Sequence, residues 1–544
     1  MELRDQTVLV LGLGDSGLAM ARWAVRSGAT VRVWDSRENP PQLAALREQV
    51  PAAVFASGEI DLSGVQLVLK SPGLSPRDAK LQAVYASGLP VHGELALFAQ
   101  ALAQQKQERG YAPAVLAITG TNGKTTTTSM TALLAESAGK RVEMAGNIGP
   151  TLLDTLSAAL DLEASDPMPV EEVEEVAHQP IVDAAEEPLP IAPPPPKAPV
   201  FKHLPEVWVL ELSSFQLDGV IGFEPTAATV LNITQDHLDW HGDMTGYSSA
   251  KARVFGPDVG SLAVMVINRD DPLVEALVPA PVLVKQGRGK SAKAMGRAVV
   301  RFGLNAPRAP GDFGLIDEGG MAWLVRAMEA DETIKRRKDE EEEEIIIQRL
   351  MPADALRVRG RHNAANALAA LALASNAGCA LAPMLHALRE YRGEPHRVQH
   401  VNNIKGIDFY DDSKGTNVGA TVAAISGLGT DREPAKLVLI LGGDGKGQDF
   451  SPLKEGVMRH ARAIALIGRD GPQIAAVLSG SGIPMESFDT LEAATRWSFT
   501  QAQGTDSVLL SPACASLDMF RNYAHRAEVF VDTVNEIAND EGLV

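Results

Sequence analysis

Short apolar runs ending in a cluster of Gly, Ser, Asp or Lys recur along this chain, and that punctuation constrains its fold more than any other feature. TVLVLGLG at 7–14, TVRVWD at 30–35 and VQLVLKSPG at 65–73 lie within the first 93 residues. A second series holds AVLAITGTNGKT at 114–125, VWVLELSS at 207–214, AATVLNIT at 227–234 and LAVMVINRDD at 262–271. A third holds KGIDFYDDSK at 405–414, KLVLILGGDGKG at 436–447, AIALIGRDG at 463–471 and DSVLLSPACAS at 506–516. Such strands alternating with helical stretches predict an α/β fold with parallel sheets. Ligands of open α/β sheets bind at strand carboxyl ends, where these clusters fall. The three series predict three domains, 1–93, 94–393 and 394–544, with active sites in the clefts between them.

At 544 residues the chain is long enough for several cores, and 45% hydrophobic with 22% charged residues is the balance of a soluble globular protein. The start, MELRDQTVLVLG, carries acidic residues where a signal peptide would be basic. The most apolar stretch, Ala364 to Ala382, is broken by Asn366, Ser375, Asn376 and Gly378, so a buried helix is expected and no membrane span. Cys379 and Cys514 are too few for a disulfide framework and read as buried thiols in a reducing compartment. A net charge of −19 argues against nucleic-acid binding. Much of that charge is local. Ten acidic residues against one lysine between 161 and 200 carry −9 of it, within a Pro-rich segment of about 161–202 expected to be a disordered surface insertion. KRRKDEEEEE at 335–344 reads as a solvated helix face or loop.

The strongest chemical signal runs from Ile118 to Thr127. Gly120, Thr121, Asn122 and Gly123 let backbone N–H groups close around phosphate oxygens, and the helix opening at Lys124, Thr125 and Thr126 adds favourable partial charge. Lys124 can reach the β- and γ-phosphates of a nucleotide, and the Thr125 hydroxyl can ligate Mg²⁺. The motif is not a full Walker sequence, because Ile118 replaces its first glycine. Glu211 and His237 follow at neighbouring strand ends. A carboxylate suits Mg²⁺; a histidine there is more often a structural hydrogen bonder. Lys251 reads as an ordinary helical lysine. Asn147, between glycines, either contacts a substrate or shapes a turn. Asn268, Asp270 and Asp271 are expected to cap the turn after their strand.

Gly12-Leu13-Gly14-Asp15-Ser16-Gly17, with Asp35 ending the next strand, fits a dinucleotide fingerprint and taken alone would indicate an NAD-dependent oxidoreductase. A further alternative is a non-catalytic scaffold whose acidic insertion recruits a protein partner.

TGTNGKTTT, AGNIG, ELSSFQL, NITQDHLDWHG, YSSAK, INRDDP, PHR, DDSKGTN, GGDGKG and SPACASLDMF occur in this order over about four hundred residues. That series resembles the Mur ligases of peptidoglycan precursor synthesis, and within them the D-glutamate-adding enzymes rather than those taking another amino acid. The resemblance implies a cytoplasmic, monomeric ATP-dependent ligase that phosphorylates the carboxylate of UDP-N-acetylmuramoyl-L-alanine and joins D-glutamate to it. It implies an N-terminal Rossmann-like UDP-binding domain, a central P-loop ATPase-like domain with a parallel sheet, and a C-terminal Rossmann-like domain. It also assigns parts. Thr125 and Glu211 would hold one Mg²⁺, His237 would help hold a second, and Lys251 would be carbamylated and bridge to metal. Asn366 would meet adenine, Arg397 the γ-phosphate, Asp412 the ribose and Lys414 the nucleotide. Thr416, Lys446, Ser516 and Tyr523, the last where the family more often has phenylalanine, would hold D-glutamate. Gly14, Asp15 and Ser16 would face the diphosphate, and Asp35, Ser36 and Arg37 the uracil, with Ser71, Pro72 and Gly73 lining the same site. Asn147 would lie near the reacting end.

Overall fold

A computed structural model describes residues 3–166, 200–257, 261–285, 292–330, 345–358 and 360–542. The 335–344 segment and most of the acidic insertion lie outside these residues. Packing divides the chain into two compact units. Met1–Ala114, Pro150–Trp208 and Ile221–Phe223 form the first; Val115–Gly149, Val209–Val220 and Glu224–Val544 form the second. The expected α/β architecture with parallel sheets is what forms.

The first unit is built on a parallel five-stranded sheet in the order Val54–Ala56, Thr30–Trp34, Thr7–Leu11, Leu67–Lys70, Val91–His92. Its central strand is covered on both faces, which explains why it reads as an unbroken run of Val and Leu. The helix Asp15–Arg26 starts directly after the glycine turn. A Cβ at Gly17 would stand 1.9 Å from the Gly12 carbonyl oxygen, so only glycine lets helix and strand approach this closely. The edge strands Val54–Ala56 and Val91–His92 were not expected from sequence; both are too short to show a period.

The acidic insertion needs a correction at both ends. Residues 161–165 continue the helix Leu152–Ser165, and Glu163 is buried. Its carboxylate accepts the backbone N–H groups of Lys202, His203 and Leu204, at 3.0, 2.7 and 3.1 Å. Composition hid this, because a glutamate among acidic neighbours looks solvated until its backbone partners 40 residues away are known.

A six-stranded sheet runs Val299–Phe302, Val264–Asn268, Ala227–Val230, Ala114–Thr119, Val207–Glu211, Val142–Gly146. The phosphate loop leaves Ala114–Thr119, so the ends of its two neighbours, Glu211 and the stretch after Val230, flank it. The Ala-rich run forms the helix Arg361–Asn376, with residues 367–374 at 0% exposure. Among the described residues no helix is long and apolar enough to cross a membrane. An antiparallel sheet of Phe313–Glu318, Met321–Glu329 and Ile345–Pro352 was not expected. Its first turn is Gly319-Gly320, with φ of 61° and 79°, the left-handed pair that a two-residue hairpin requires.

The last sheet runs Gln399–Ile404, Ile407–Asp411, Ser507–Leu510, Leu437–Gly442, Ala461–Ile467, Met485–Ser487, with only its first strand antiparallel. Side chains alternate in Leu437–Gly442: Leu437, Leu439 and Leu441 enter one apolar cluster, while Val438 and Ile440 enter the cluster on the other face. Cys514 is buried in the first of these, and both cysteines are free, as expected.

Candidate functional site

Backbone geometry makes the phosphate loop before any ligand is considered. Gly120 has φ of 152° and Gly123 of 82°, and a Cβ at Gly123 would lie 2.6 Å from Asn366 Oδ1. The loop is then clamped by residues that sequence reasoning did not single out. Asn122 N–H donates to Asn232 Oδ1 at 2.8 Å, and Asn232 Nδ2 returns a bond to the Asn122 carbonyl at 3.0 Å. Thr234 N–H donates to Thr121 Oγ1 at 3.0 Å. Asn232 and Thr234 lie in LNIT at a strand end, and that placement was the available signal. Lys124 Nζ folds onto the carbonyls of Gly120 and Thr121, at 3.0 and 2.9 Å. Burial lowers its pKa, against the pull of Glu211.

Glu211 is 2% exposed. Asn147 Nδ2 holds its Oε1 at 2.8 Å, while Oε2 is buried with no hydrogen-bond partner among the described residues. A buried carboxylate oxygen left without a hydrogen-bond partner is costly, and a hard divalent cation would satisfy it. The Thr125 hydroxyl, 3% exposed, adds a second oxygen donor and accepts from Arg397 Nη2 at 2.8 Å. These groups fit Mg²⁺, although among the described residues no three His, Cys, Asp or Glu side chains form a ready-made metal cluster.

Lys251 is not the ordinary helical lysine its sequence suggests. It is 1% exposed, donates to the Gly120 carbonyl at 2.8 Å, and lies 4.6 Å over the Tyr247 ring. Burial first, and the charge of Lys124 second, depress its pKa well below the usual lysine value. His237 caps a short helix with φ of 52° and packs edge-on against Phe215 at 4.7 Å. Burial lowers its pKa, and Lys446, Lys124 and Lys251 push the same way against Asp236. Asp271 caps its turn as expected and also accepts the Ile233 N–H at 2.8 Å.

The C-terminal residues converge on the same loop. Asn417 Nδ2 reaches Asn122 Oδ1 at 3.0 Å, beside the Arg397–Thr125 bond. A cavity of about 80 Å³ is lined by Asn122, Gly123, Thr126, Asn366, Arg397 and Asp412. A second, of about 540 Å³, includes His362, Asn363, Glu394 and Arg397 in its wall. Burial pushes the Asp412 carboxyl up to about 7, although Ser511 Oγ donates to it at 2.6 Å. Lys414 Nζ lies 5.4 Å over the Tyr523 ring rather than in either cavity wall. The loops carrying Lys446 and Ser516 are stitched by the reciprocal backbone pair of Asp444 and Ala515, at 3.0 and 2.9 Å. Ser516 is buried and Lys446 exposed. Thr416 is tied back to the Lys414 carbonyl.

In the first unit a cavity of about 400 Å³ is lined by Gly14, Asp15, Ser16, Asp35, Ser36, Arg37, Ser71, Pro72 and Gly73, among others. Asn147, expected near the reacting end, does not line this cavity and donates to Glu211 Oε1. Asp35 departs from what a dinucleotide enzyme needs. Its Oδ2 accepts Leu13 N–H at 2.8 Å and Arg37 Nη2 at 2.9 Å; its Oδ1 accepts Arg37 N and Nε at 3.0 and 2.9 Å. Burial opposes ionisation, but these bonds win and hold its pKa at about 2. With both oxygens filled, the carboxylate locks the glycine turn and has no lone pair to spare for a ribose diol. The oxidoreductase alternative loses its key residue.

A glycine loop opening a helix, with a buried carboxylate oxygen beside it, fits the phosphate site of a nucleotide-using enzyme. Family comparison agrees over nearly the whole length. The profile for Mur ligase MurD-like N-terminal domains matches residues 6–93, that for Mur ligase middle domains 118–177 and 199–374, and that for the Mur ligase glutamate ligase domain 396–514. The chain belongs to the Mur ligase family. It is 54% identical to the UDP-N-acetylmuramoylalanine–D-glutamate ligase of Albidiferax ferrireducens, over 99% of this chain and 98% of that one. It is 51% identical to the enzyme of the same name from Burkholderia pseudomallei, over 98% of each. The MurF ligase of Thermotoga maritima, solved in complex with ADP, shares the fold at a TM-score of 0.52 and 16% identity, covering 99% of this chain and 96% of that one.

Proposed function

We propose that this chain joins D-glutamate to UDP-N-acetylmuramoyl-L-alanine in the cytoplasm, using ATP and passing through an acyl phosphate. The observation that carries the reading is the buried Glu211 Oε2, without a hydrogen-bond partner among the described residues, beside a clamped phosphate loop that Arg397 already reaches. The name shared by relatives at more than half identity selects the substrates.

In this reading Gly120 to Thr126 enclose the ATP phosphates, Lys124 exchanges its two carbonyl partners for phosphate oxygens, and Arg397 turns from Thr125 to the γ-phosphate. Asn366 and Asp412 face adenine and ribose, and Lys414 completes the nucleotide contacts. The substrate's carboxylate oxygen attacks the γ-phosphorus and ADP departs. The amine of D-glutamate, held by Thr416, Lys446, Ser516 and Tyr523, then attacks the acyl carbon, and phosphate leaves with the carboxylate's oxygen. Catalysis is chiefly positioning and charge neutralisation. Mg²⁺ would supply charge neutralisation among the phosphates, held by Thr125, Glu211, His237 and a carbamylated Lys251. Burial lowers the Lys251 pKa and so favours the neutral amine, the form that adds carbon dioxide. The first-unit cavity takes the UDP moiety, its diphosphate over Gly14, Asp15 and Ser16 and its uracil by Asp35, Ser36 and Arg37.

A phosphate-release assay with UDP-N-acetylmuramoyl-L-alanine, scanning D-glutamate, L-glutamate, L-alanine and diaminopimelate, tests the assignment. Release is expected with D-glutamate alone. Release driven by another amino acid would move the chain elsewhere in the family.

A further inference from the structure

The C-terminal helix Tyr523–Asp540 buries an arginine that the scheme above leaves unused. Arg526 is 0% exposed, among the largest fully buried side chains of the protein. Its partners are neutral: Nε donates to Ser413 Oγ at 3.0 Å, Nη2 to the Ser413 carbonyl at 2.7 Å and Nη1 to the Cys514 carbonyl at 3.2 Å. No carboxylate stands within ion-pair distance of it among the described residues. The groups that pull its pKa back up, the Cys514 thiol first and then Asp518, Asp411 and Asp412, make no ion pair with it. Asp411 already accepts from His396 and Ser413 N–H, and Asp412 from Ser511. Burial lowers the Arg526 pKa to about 10, which leaves it charged at neutral pH. A buried cation without a counter-ion is expensive, and proteins keep such groups where an anion arrives to complete them.

Its position says which anion. Ser413 adjoins Lys414 and leads to Thr416. Cys514 lies two residues before Ser516. Tyr523 is one helical turn before Arg526 on the same face, and its carbonyl accepts Ser413 Oγ at 2.8 Å. Arg526 therefore braces the three segments that bear Thr416, Ser516 and Tyr523, and brings a positive charge beneath them. Carbonyls and a hydroxyl would suffice to tie loops together through a neutral side chain; a guanidinium adds a field.

We propose that Arg526 is a specificity-determining residue that favours an amino-acid substrate carrying a second, side-chain carboxylate, by supplying charge from beneath the site rather than by direct contact. The proposal rests on the functional reading above. The full-length enzyme and its Arg526→Gln and Arg526→Lys variants are compared with D-glutamate and D-glutamine, each as substrate and as competitor, with ATP and UDP-substrate KM measured alongside. Arg526→Gln should raise KM for D-glutamate at least about thirtyfold, weaken D-glutamine by less than about threefold and leave the ATP and UDP-substrate KM values within about twofold. Arg526→Lys, which keeps the charge and loses the fork, should retain most of the preference for glutamate over glutamine, and serves alone if the glutamine variant does not fold. Equal losses for both amino acids, or a preference that survives in Arg526→Gln or vanishes in Arg526→Lys, would overturn the proposal and leave a structural tie. A wild-type enzyme that selects a neutral amino acid would overturn the functional reading, and the proposal with it.

Discussion

The two glycine loops of this protein look alike in sequence and differ in how their charges are satisfied. In the first, Gly12 to Gly17, Asp35 fills both its oxygens with Leu13 and Arg37, so the loop is closed on itself. In the second, Gly120 to Thr125, Glu211 Oε2 and Arg397 Nε are buried without hydrogen-bond partners among the described residues, Lys124 rests on carbonyls, and Lys251 is buried against the Gly120 carbonyl. Under the proposed function, the contrast separates a site that binds from a site that reacts. A binding turn is most useful when preorganised, whereas a loop for phosphoryl transfer holds charges that are satisfied only when the reacting phosphates arrive.

Removing charge from the second loop should therefore have the largest effect. Lys124→Ala and Glu211→Ala are each expected to lower phosphate release at least about a thousandfold while UDP-substrate binding, followed by calorimetry, stays within about twofold. Turnover near that of the wild type would break the contrast at once. Lys251→Ala should cost about a hundredfold, with partial recovery when short carboxylic acids are added to the buffer. Without that recovery, carbamylation loses its support.

Opening the first loop should act on binding instead. Asp35→Asn is expected to raise KM for the UDP substrate about tenfold with kcat nearly unchanged. It should also alter acid stability. Folding lowers the Asp35 pKa from 3.8 to about 2, so its contribution, about 2 kcal/mol, is complete above about pH 4 and is lost as pH falls through about 2. Urea unfolding of the variant should therefore lack that stretch of the acid limb. An Asp35→Asn enzyme with reduced kcat and normal KM would erase the distinction between the loops. The smallest effect is expected at the base of the acidic insertion. Glu163→Ala should reduce stability by about 1–2 kcal/mol in thermal unfolding without touching turnover.

What could be read from sequence follows the range of the interactions. The phosphate loop was legible because strand, glycines and helix start lie within ten consecutive residues, and the apolar C-terminal strands with their terminal clusters were legible for the same reason. Lys251 was not legible from its own neighbours, since its burial under Gly120 is made across 131 residues. Only family resemblance singled it out. Arg526, in AHRAEVF, has the local pattern of a surface helix, and nothing short of the Ser413 and Cys514 contacts reveals it. The Gly319-Gly320 turn, by contrast, is set by two adjacent residues with positive φ and is local in the sequence. Asp35 carried a sound fingerprint and the wrong ligand, because a fingerprint records the residue and not how many of its lone pairs remain.

The transfer of oxygen tests the central claim most directly. With both terminal carboxylate oxygens of UDP-N-acetylmuramoyl-L-alanine isotopically labelled, and with ATP, Mg²⁺ and D-glutamate present, the released phosphate is read by mass spectrometry. Attack of that carboxylate on the γ-phosphorus predicts one labelled oxygen in every phosphate and one retained in the new amide. Unlabelled phosphate, or ATP that stays intact in the complete mixture, would contradict it.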